Sequence, residues 1–326
     1  MKGLIAGLSL LLVLAFAASL LAGRVWIAPG EFFSGGNGMA SLILFDIRLP
    51  RTVLALLMGA SLGLSGAVLQ GLTRNPLAEP GLLGVTTGAA LGAVIAIYFG
   101  ITAVSMLAGP LFGLAGAVGA SALTFALGQD KLNQRGTIAL ILAGAAVSSL
   151  TAAGIALALN FAPNPYAAYE IMSWLLGSLA DKSWSQLLLV LPFVVIGCGF
   201  LALTGRDLDA LSLGEAQAES LGVNLPRLRI LVVAGTALAV GAATSMTGAI
   251  GFVGLVAPHL ARPFVGYQPG KILLPAALGG ALLLILADIA VREIHLGPEI
   301  KLGVFTSLIG TPFFLWLVVR LRKVAP

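Results

Sequence analysis

Between Arg51 and Gly71 the sequence reads RTVLALLMGASLGLSGAVLQG, an apolar run whose only charge is its first residue. A helix needs about 20 consecutive apolar residues to cross the hydrocarbon core of a bilayer. Lipid offers the backbone no hydrogen-bond partner, so a run that crosses it must be helical. The stretch therefore predicts a transmembrane helix, and the same length criterion can be applied to the rest of the chain.

The composition agrees with a membrane location for most of the chain. The 326 residues are 59% hydrophobic and only 10% charged, with a mean hydropathy of +1.04. Soluble domains are about 25% charged, and a chain with so few charges could not cover its own surface in water. The net charge of +5 does not indicate nucleic-acid binding, because no basic stripe is interleaved with aromatic residues. Lipid is therefore a predicted partner, and nucleic acid is not.

Ten apolar runs are long enough to be read as spans. They lie at about 3–23, 51–71, 83–100, 103–127, 137–160, 187–204, 229–246, 250–265, 272–291 and 303–320. An even number puts both termini on one side, and if that side is the cytoplasm, twice as many Lys and Arg residues lie inside as outside. The sequence predicts an all-α membrane protein, a polytopic bundle of about ten transmembrane helices. It forms one domain over 1–326, with both termini cytoplasmic.

Two patterns within the spans bear on helix packing and symmetry. Glycines at 59 and 63, and at 84, 88 and 92, have the spacing that lets helix backbones approach closely in lipid. The tripeptide LPR stands at 49–51 and again at 225–227, before spans that enter from opposite sides. Inverted repeats of this kind are common in transporters, but three residues are few, and a chance match stays open.

Charged groups are absent from the middle of the predicted spans, and Asp288 and Arg292 come closest to it. Ion-coupled carriers usually keep such groups at the membrane midplane. The chain also lacks the GxxxxGK[ST] pattern that cradles nucleotide phosphates. ATP-driven transport would therefore need a separate ATPase subunit. An ion-coupled secondary transporter with sodium sites built from carbonyl groups stays open as an alternative.

An enzyme is the other alternative. The sequence GLSG at 63–66 matches the G-x-S-G setting of a nucleophilic serine in some intramembrane proteases, with Ser65 as the nucleophile. The reaction needs a base within hydrogen-bond reach, and the chain has only His259 and His295. Two separated histidines without H-E-x-x-H do not predict a metal site.

Several ordered sequence blocks between residue 48 and the C-terminus carry a resemblance to a known family. They are RLPR at 48–51, RNPLAEPGLLGV at 74–85, LGEA at 213–216, LGV at 221–223, GAIGFVGLVAPH at 248–259, LAD at 286–288 and GTPFF at 310–314. Together they resemble the FecCD-type permeases, which are the membrane subunits of type II ABC importers for ferric siderophores, haem and cobalamin. The resemblance implies the type II permease fold, with ten spans per subunit, in the bacterial inner membrane.

The resemblance also implies roles for three sets of residues. In the family, the cytoplasmic loop corresponding to 204–229 forms two short coupling helices that dock on the ATPase. The implied coupling residues are Asp207, Leu211, Leu213, Gly214, Glu215, Ala216, Leu221, Gly222 and Val223. The arginines implied to pair with glutamates of the substrate-binding protein are Arg48, Arg51 and Arg292, which could otherwise be interfacial side chains. The implied cytoplasmic gate consists of Asn75, Pro76, Leu77 and Thr137.

The mechanism implied by the family is alternating access in a homodimer. Two ATPase subunits and an extracytoplasmic substrate-binding protein complete the importer, and ATP and Mg belong to the ATPase. The chain itself is expected to have no catalytic residue, metal site or cofactor. The preferred substrate is an iron chelate, either a ferric siderophore or haem, followed by cobalamin and then an oxyanion such as molybdate.

Overall fold

A computed structural model describes residues 1–23, 39–129, 136–294 and 299–324. His295, one of the two candidate bases, lies outside these ranges. Within the described residues the regular structure is helical and no strand occurs. Eight of the described helical segments are long and apolar enough to cross a membrane. The all-helical membrane fold predicted from composition is confirmed.

The helices are numbered in chain order. Those that form or belong to the eight long segments are α1 (Lys2–Leu21), α3 (Leu49–Thr73), α6 (Ala108–Leu127), α7 (Gly136–Asn160), α9 (Trp184–Ala202), α12 (Leu225–Thr247), α14 (Pro269–Glu293) and α15 (Leu302–Val324). The shorter ones are α2 (Met39–Leu42), α4 (Val85–Tyr98), α5 (Ile101–Val104), α8 (Pro165–Leu175), α10 (Gly205–Leu211), α11 (Glu215–Ser220) and α13 (Val253–Ala261). A π-helical turn at Ile43–Arg48 leads into α3.

The predicted eighth span at 250–265 is not one continuous helix. Phe252 has a left-handed backbone with φ of +68°, and it precedes the nine residues of α13. A 3-10 turn at Arg262–Phe264 follows. Nine helical residues rise about 14 Å, and the 14 residues of α4 rise about 21 Å, against a hydrocarbon core of about 30 Å. The count of ten spans and the side of the termini therefore stay predictions.

Two helices form the centre of the bundle. In the most apolar window of α3, and in that of α12, 78% of the residues are buried, the highest shares among the eight long segments. Both helices begin at the leucine of an LPR tripeptide. Their contact includes a hydrogen bond of 3.2 Å from the Ser65 hydroxyl to Thr236 Oγ1. The two copies of the tripeptide thus begin the two central helices, and the inverted repeat stays a prediction.

Glycines allow the closest helix crossings, as their spacing predicts. Where α3 crosses α14, a Cβ added to Gly63 would lie 2.1 Å from the carbonyl oxygen of Ala276, and one at Gly59 would lie 2.4 Å from that of Gly280. Where α4 crosses α6, a Cβ at Gly88 would lie 2.6 Å from the carbonyl oxygen of Gly116. No side chain fits at such distances, so these glycines fix the backbone separation.

Candidate functional site

Two short helices lie in the polar loop 204–229, where the sequence resemblance places the coupling helices. We refer to residues 205–223, which contain α10 and α11, as the coupling segment. Its inner side is apolar and fully packed: Leu208, Leu211 and Ala218 are at most 1% exposed. Leu213 and Leu221 point outward and are 63% and 65% exposed. The segment is therefore anchored from within and presents two leucines on its outer side.

The predicted coupling residues fall on both sides of this segment. Ala216 and Gly222 are exposed with Leu213 and Leu221, whereas Leu211 packs inward and Gly214 is buried; Asp207, Glu215 and Val223 are half-buried. Gly214 separates the two helices with φ of +117°, and an added Cβ there would lie 2.4 Å from Gln217 Oε1. This backbone conformation favours glycine. Leu211 therefore supports the segment from the bundle side.

Asp209, which the sequence analysis did not single out, attaches α10 to the start of α14. Its Oδ1 accepts a hydrogen bond of 2.7 Å from the backbone N–H of Gly270, and its Oδ2 accepts one of 2.7 Å from Gln268 Nε2. The first backbone N–H groups of a helix have no partner within it, and a carboxylate is a favourable acceptor there. The contact joins residues 61 positions apart, so no local pattern could have indicated it.

Glu215 attaches the other helix of the coupling segment to two spans. Its Oε1 accepts a hydrogen bond of 2.6 Å from the hydroxyl of Thr137, in the first turn of α7. Its Oε2 lies 3.4 Å from a guanidinium nitrogen of Arg229 on α12. The structure thus brings together one residue predicted for coupling, Glu215, and one predicted for the gate, Thr137.

The other predicted gate residues form a tight turn after α3. Arg74 ends that helix with a left-handed backbone, φ +50°, and Asn75 Oδ1 accepts a hydrogen bond of 2.9 Å from the N–H of Leu77. Asn75 is exposed, and Pro76 and Leu77 are half-buried. This is the local side-chain bonding that stabilises turns.

A 3-10 turn at Pro80–Leu83 follows the Asn75 turn in the chain and packs against α7. A Cβ added to Gly144 of α7 would lie 1.8 Å from the carbonyl oxygen of Leu82. Between the two turns, burial raises the pKa of the Glu79 carboxyl. The helix that carries Thr137 is therefore in backbone contact with the 3-10 turn that follows the predicted gate turn.

At the opposite end of the bundle, Arg51 and Arg292 share one buried carboxylate. Asp288 is fully buried and accepts hydrogen bonds from Arg51 at 2.7 and 2.9 Å, and its other oxygen lies 3.0 Å from Arg292. Arg51 also pairs with the carboxylate of Glu299. We refer to Arg48, Arg51, Asp288, Arg292 and Glu299 as the arginine cluster.

The arginines of this cluster also complete the end of α1. Arg48 donates to the carbonyl oxygens of Leu20 and Leu21 at 2.9 and 2.8 Å, and Arg292 donates to that of Ser19 at 2.9 Å. The last carbonyls of a helix lack partners within it. Arg48, Arg51 and Arg292 are only 5%, 8% and 7% exposed. The three predicted docking arginines are thus bonded within the chain, and their docking role stays a prediction.

A polar cavity of about 660 Å³ adjoins this cluster. Its lining includes Arg51 and Glu299 together with Lys182, Asp181 and Lys301. Burial lowers the pKa of Lys182; the nearby Lys301 lowers it further, and Asp181 opposes both. This end of the bundle therefore presents charges of both signs around an open pocket, with Arg51 on its wall.

An apolar cavity of about 640 Å³ lies between the end of α8, the connection from α12 to α13, and α15. Its lining carries hydroxyl groups at Ser307 and Thr311 and no ionisable side chain. Such a wall offers apolar surface and weak hydrogen bonds to a passing molecule, without a fixed charge to retain it.

The residues of the enzyme alternative are not arranged for catalysis. Ser65 is fully buried and donates its hydrogen bond to Thr236 rather than to an imidazole. The ring of His259 packs edge-on against Phe313, with 5.8 Å between centroids. Among the described residues no group of three or more His, Cys, Asp or Glu side chains could hold a metal ion. The protease alternative has no support in this geometry.

Comparison with known proteins adds the family. The model of the FecCD transport family matches residues 11–320. The vitamin B12 import system permease protein BtuC of Klebsiella pneumoniae subsp. pneumoniae is 39% identical over 317 residues, covering 97% of this chain and 93% of that protein. BtuC of Salmonella paratyphi A is 40% identical over 314 residues, covering 96% of this chain and 94% of that protein.

Solved structures share the fold. A transporter described as of the metal-chelate ABC type, in an inward-facing conformation, matches with a TM-score of 0.87 and 34% identity, covering 98% of this chain and 100% of that one. PsaBC from Streptococcus pneumoniae, in complex with Fab, matches with a TM-score of 0.58 and 15% identity, covering 88% of this chain and 94% of that one. The second likeness concerns the fold alone.

Proposed function

Because the chain belongs to the FecCD transport family and is the permease of an ABC importer, we propose that it carries a large metal chelate into the cell, with vitamin B12 as the first candidate. The observation that carries this proposal is the identity of 40% to a vitamin B12 import permease over 96% of the chain. An iron chelate, either a ferric siderophore or haem, is the second candidate. It is favoured by the 34% identity to a transporter described as of the metal-chelate type.

The apolar cavity beside α15 supports a large, weakly held substrate. Its volume of about 640 Å³ lies within the size range of small-molecule sites, about 300–1,000 Å³. The hydroxyls of Ser307 and Thr311 can bond a chelate from the side, and no charge on the wall holds it. A permease that hands its cargo onward gains from such weak binding, because tight binding would slow release.

The path itself is proposed to lie between two copies of the chain in a bacterial inner membrane. Exposed residues of α15 include Thr311, whose hydroxyl would face lipid if no second copy covered it. In this arrangement 1–326 is one permease domain, and the loop 204–229 docks on an ATPase that holds ATP and Mg. The chain binds no cofactor of its own.

The substrate-binding protein is proposed to dock over the polar outer cavity. Only Arg51 among the three predicted docking arginines lines that cavity, and it is already paired with Asp288 and Glu299. An acidic side chain of the binding protein would therefore approach Arg51 from the cavity. Arg48 and Arg292 would hold the cluster in place through their hydrogen bonds to the end of α1.

The test is uptake by proteoliposomes that contain the chain with its neighbour-encoded ATPase and binding protein. We expect ATP-dependent uptake of cyanocobalamin, and none when the ATPase binds ATP but cannot hydrolyse it. Uptake of a ferric siderophore or haem in place of cyanocobalamin would transfer the assignment to the second candidate. Uptake driven by an ion gradient in the absence of the ATPase would contradict the proposal.

A further inference from the structure

The coupling segment is attached to the bundle by two carboxylates that reach different kinds of helix. Asp209 binds the start of α14, and Glu215 binds the start of α7. Gly214 separates α10, which carries the first carboxylate, from α11, which carries the second. What each attachment can transmit depends on how firmly its target helix is packed.

The target of Asp209 is a fixed helix. Along α14 the backbone is in contact with α3, where Gly59 and Gly63 leave no room for a side chain. The inner end of α10 is also fully buried at Leu208 and Leu211. Closely packed helices move as a unit, because separating them would open voids in the core. The first half of the coupling segment is therefore held to the scaffold.

Besides Arg229 on the central helix α12, Glu215 reaches α7, which is less closely packed than α14. Only 33% of the most apolar window of α7 is buried, against 50% in that of α14. The same helix contacts the 3-10 turn that follows the predicted gate turn, through the close approach of Gly144 to Leu82. A displacement of α7 would therefore reach the 3-10 turn after the gate turn, and it would cost less core packing than a displacement of α14.

We propose that Glu215 is a positioning residue that ties the ATPase-docking segment to α7 through the hydrogen bond from Thr137. The inference rests on the proposed function, since it requires an ATPase on the outer side of the segment. When the ATPase displaces α11 about Gly214, the 2.6 Å contact carries α7 along. Arg229 holds the second oxygen of Glu215, and so fixes the orientation of the carboxylate toward Thr137.

The experiment measures ATP hydrolysed per substrate molecule imported, in proteoliposomes containing the whole importer. Thr137→Val removes the donor at nearly constant volume, and Glu215→Ala removes the acceptor. Each should raise the ratio of ATP hydrolysed to substrate imported about tenfold. Losing a hydrogen bond to a charged group shifts the equilibrium between attached and detached α7 by about this factor. Thr137→Ser keeps the hydroxyl and should restore the ratio. A double variant should be no worse than either single one, because both break the same contact.

The control is Thr151→Val, the same change on the same helix, at a hydroxyl that bonds the carbonyl oxygens of Val147 and Ser148 within α7 itself. It should leave the ratio unchanged. The yield of ATPase that co-purifies should be the same for every variant. An unchanged ratio in Thr137→Val, or additive effects in the double variant, would overturn the inference while leaving the importer intact. Failure of the unmodified chain to import with ATP would instead overturn the proposed function, and the inference with it.

Discussion

Replacing Asp288 with asparagine should destabilise the permease on its own, without any partner protein. The change keeps the shape of the side chain and removes the charge that Arg51 and Arg292 share. Asp288 is fully buried, and both guanidinium groups are less than a tenth exposed. The substitution therefore leaves two positive charges facing each other without the anion between them.

The size of the effect follows from the partners that remain. Breaking a buried ion pair by removing one partner costs about 3–5 kcal/mol. Here the cost should be near the lower limit, because Arg51 keeps Glu299, and Arg292 keeps the carbonyl oxygens of Ser19 and Ala22. A loss of about 3 kcal/mol corresponds to a decrease of about 6 °C in the melting temperature for a large chain.

The assay is thermal unfolding of the purified permease in one detergent, with Asp46→Asn as the matched control. Asp46 is an exposed aspartate at the same end of the bundle, so the same chemical change there should shift the melting temperature by less than about 1 °C. An unchanged melting temperature in Asp288→Asn, combined with weaker affinity for the binding protein, would refute the reasoning. The cluster would then act in docking and contribute little to stability.

Three further predictions concern other parts of the molecule. Gly66→Ala would place a Cβ 1.8 Å from the carbonyl oxygen of Gly254, so it should lower the free energy of unfolding by about 1–3 kcal/mol or more. The yield of monodisperse protein in size-exclusion chromatography should fall. Gly7→Ala, with open space around the added Cβ, should leave that yield unchanged. Burial raises the pKa of Glu79, so the folded state binds more protons than the unfolded state and loses stability as the pH rises above the ordinary value of 4.5. Glu79→Gln should therefore raise the melting temperature at pH 7.5, and by less at pH 5. An equal shift at both pH values would contradict this. Leu213→Asp, on the outer side of the coupling segment, should abolish co-purification of the ATPase and change the stability of the permease by less than about 0.5 kcal/mol; retained co-purification would mean that the ATPase docks elsewhere.

The membrane helices could be read from the sequence because lipid imposes a simple rule on length and polarity. The predicted span at 137–160 corresponds to α7, and that at 229–246 lies within α12. The run at 250–265 satisfies the same rule, yet the backbone is interrupted at Phe252 and again after Ala261. An apolar run records burial in lipid, but it does not record a left-handed residue or a change of helix type.

The candidate site was predictable as a location and much less so as a set of contacts. The polar loop 204–229 was identified because it stood out from its apolar surroundings, and two short helices lie in it. The bond between Glu215 and Thr137 joins positions 78 residues apart, and Asp288 lies 237 residues from Arg51. An arginine at the edge of a predicted span is read as exposed when the sequence shows no counter-ion near it. Only the packing of α14 on α3 brings the two together.

The arginine bonds at the end of α1 also set an order for biogenesis. Arg48 follows Leu21 by 27 residues, whereas Arg292 follows Ser19 by 273. At about 5–20 residues per second, a ribosome needs about 14 to 55 s between Ser19 and Arg292. During that interval Arg48 has been made and Arg292 has not, so of these two arginines Arg48 alone can bond the last carbonyl groups of α1. The arginine cluster is therefore completed only after α14 has been made, and synthesis that stops before α14 leaves a first helix whose main packing partner is missing.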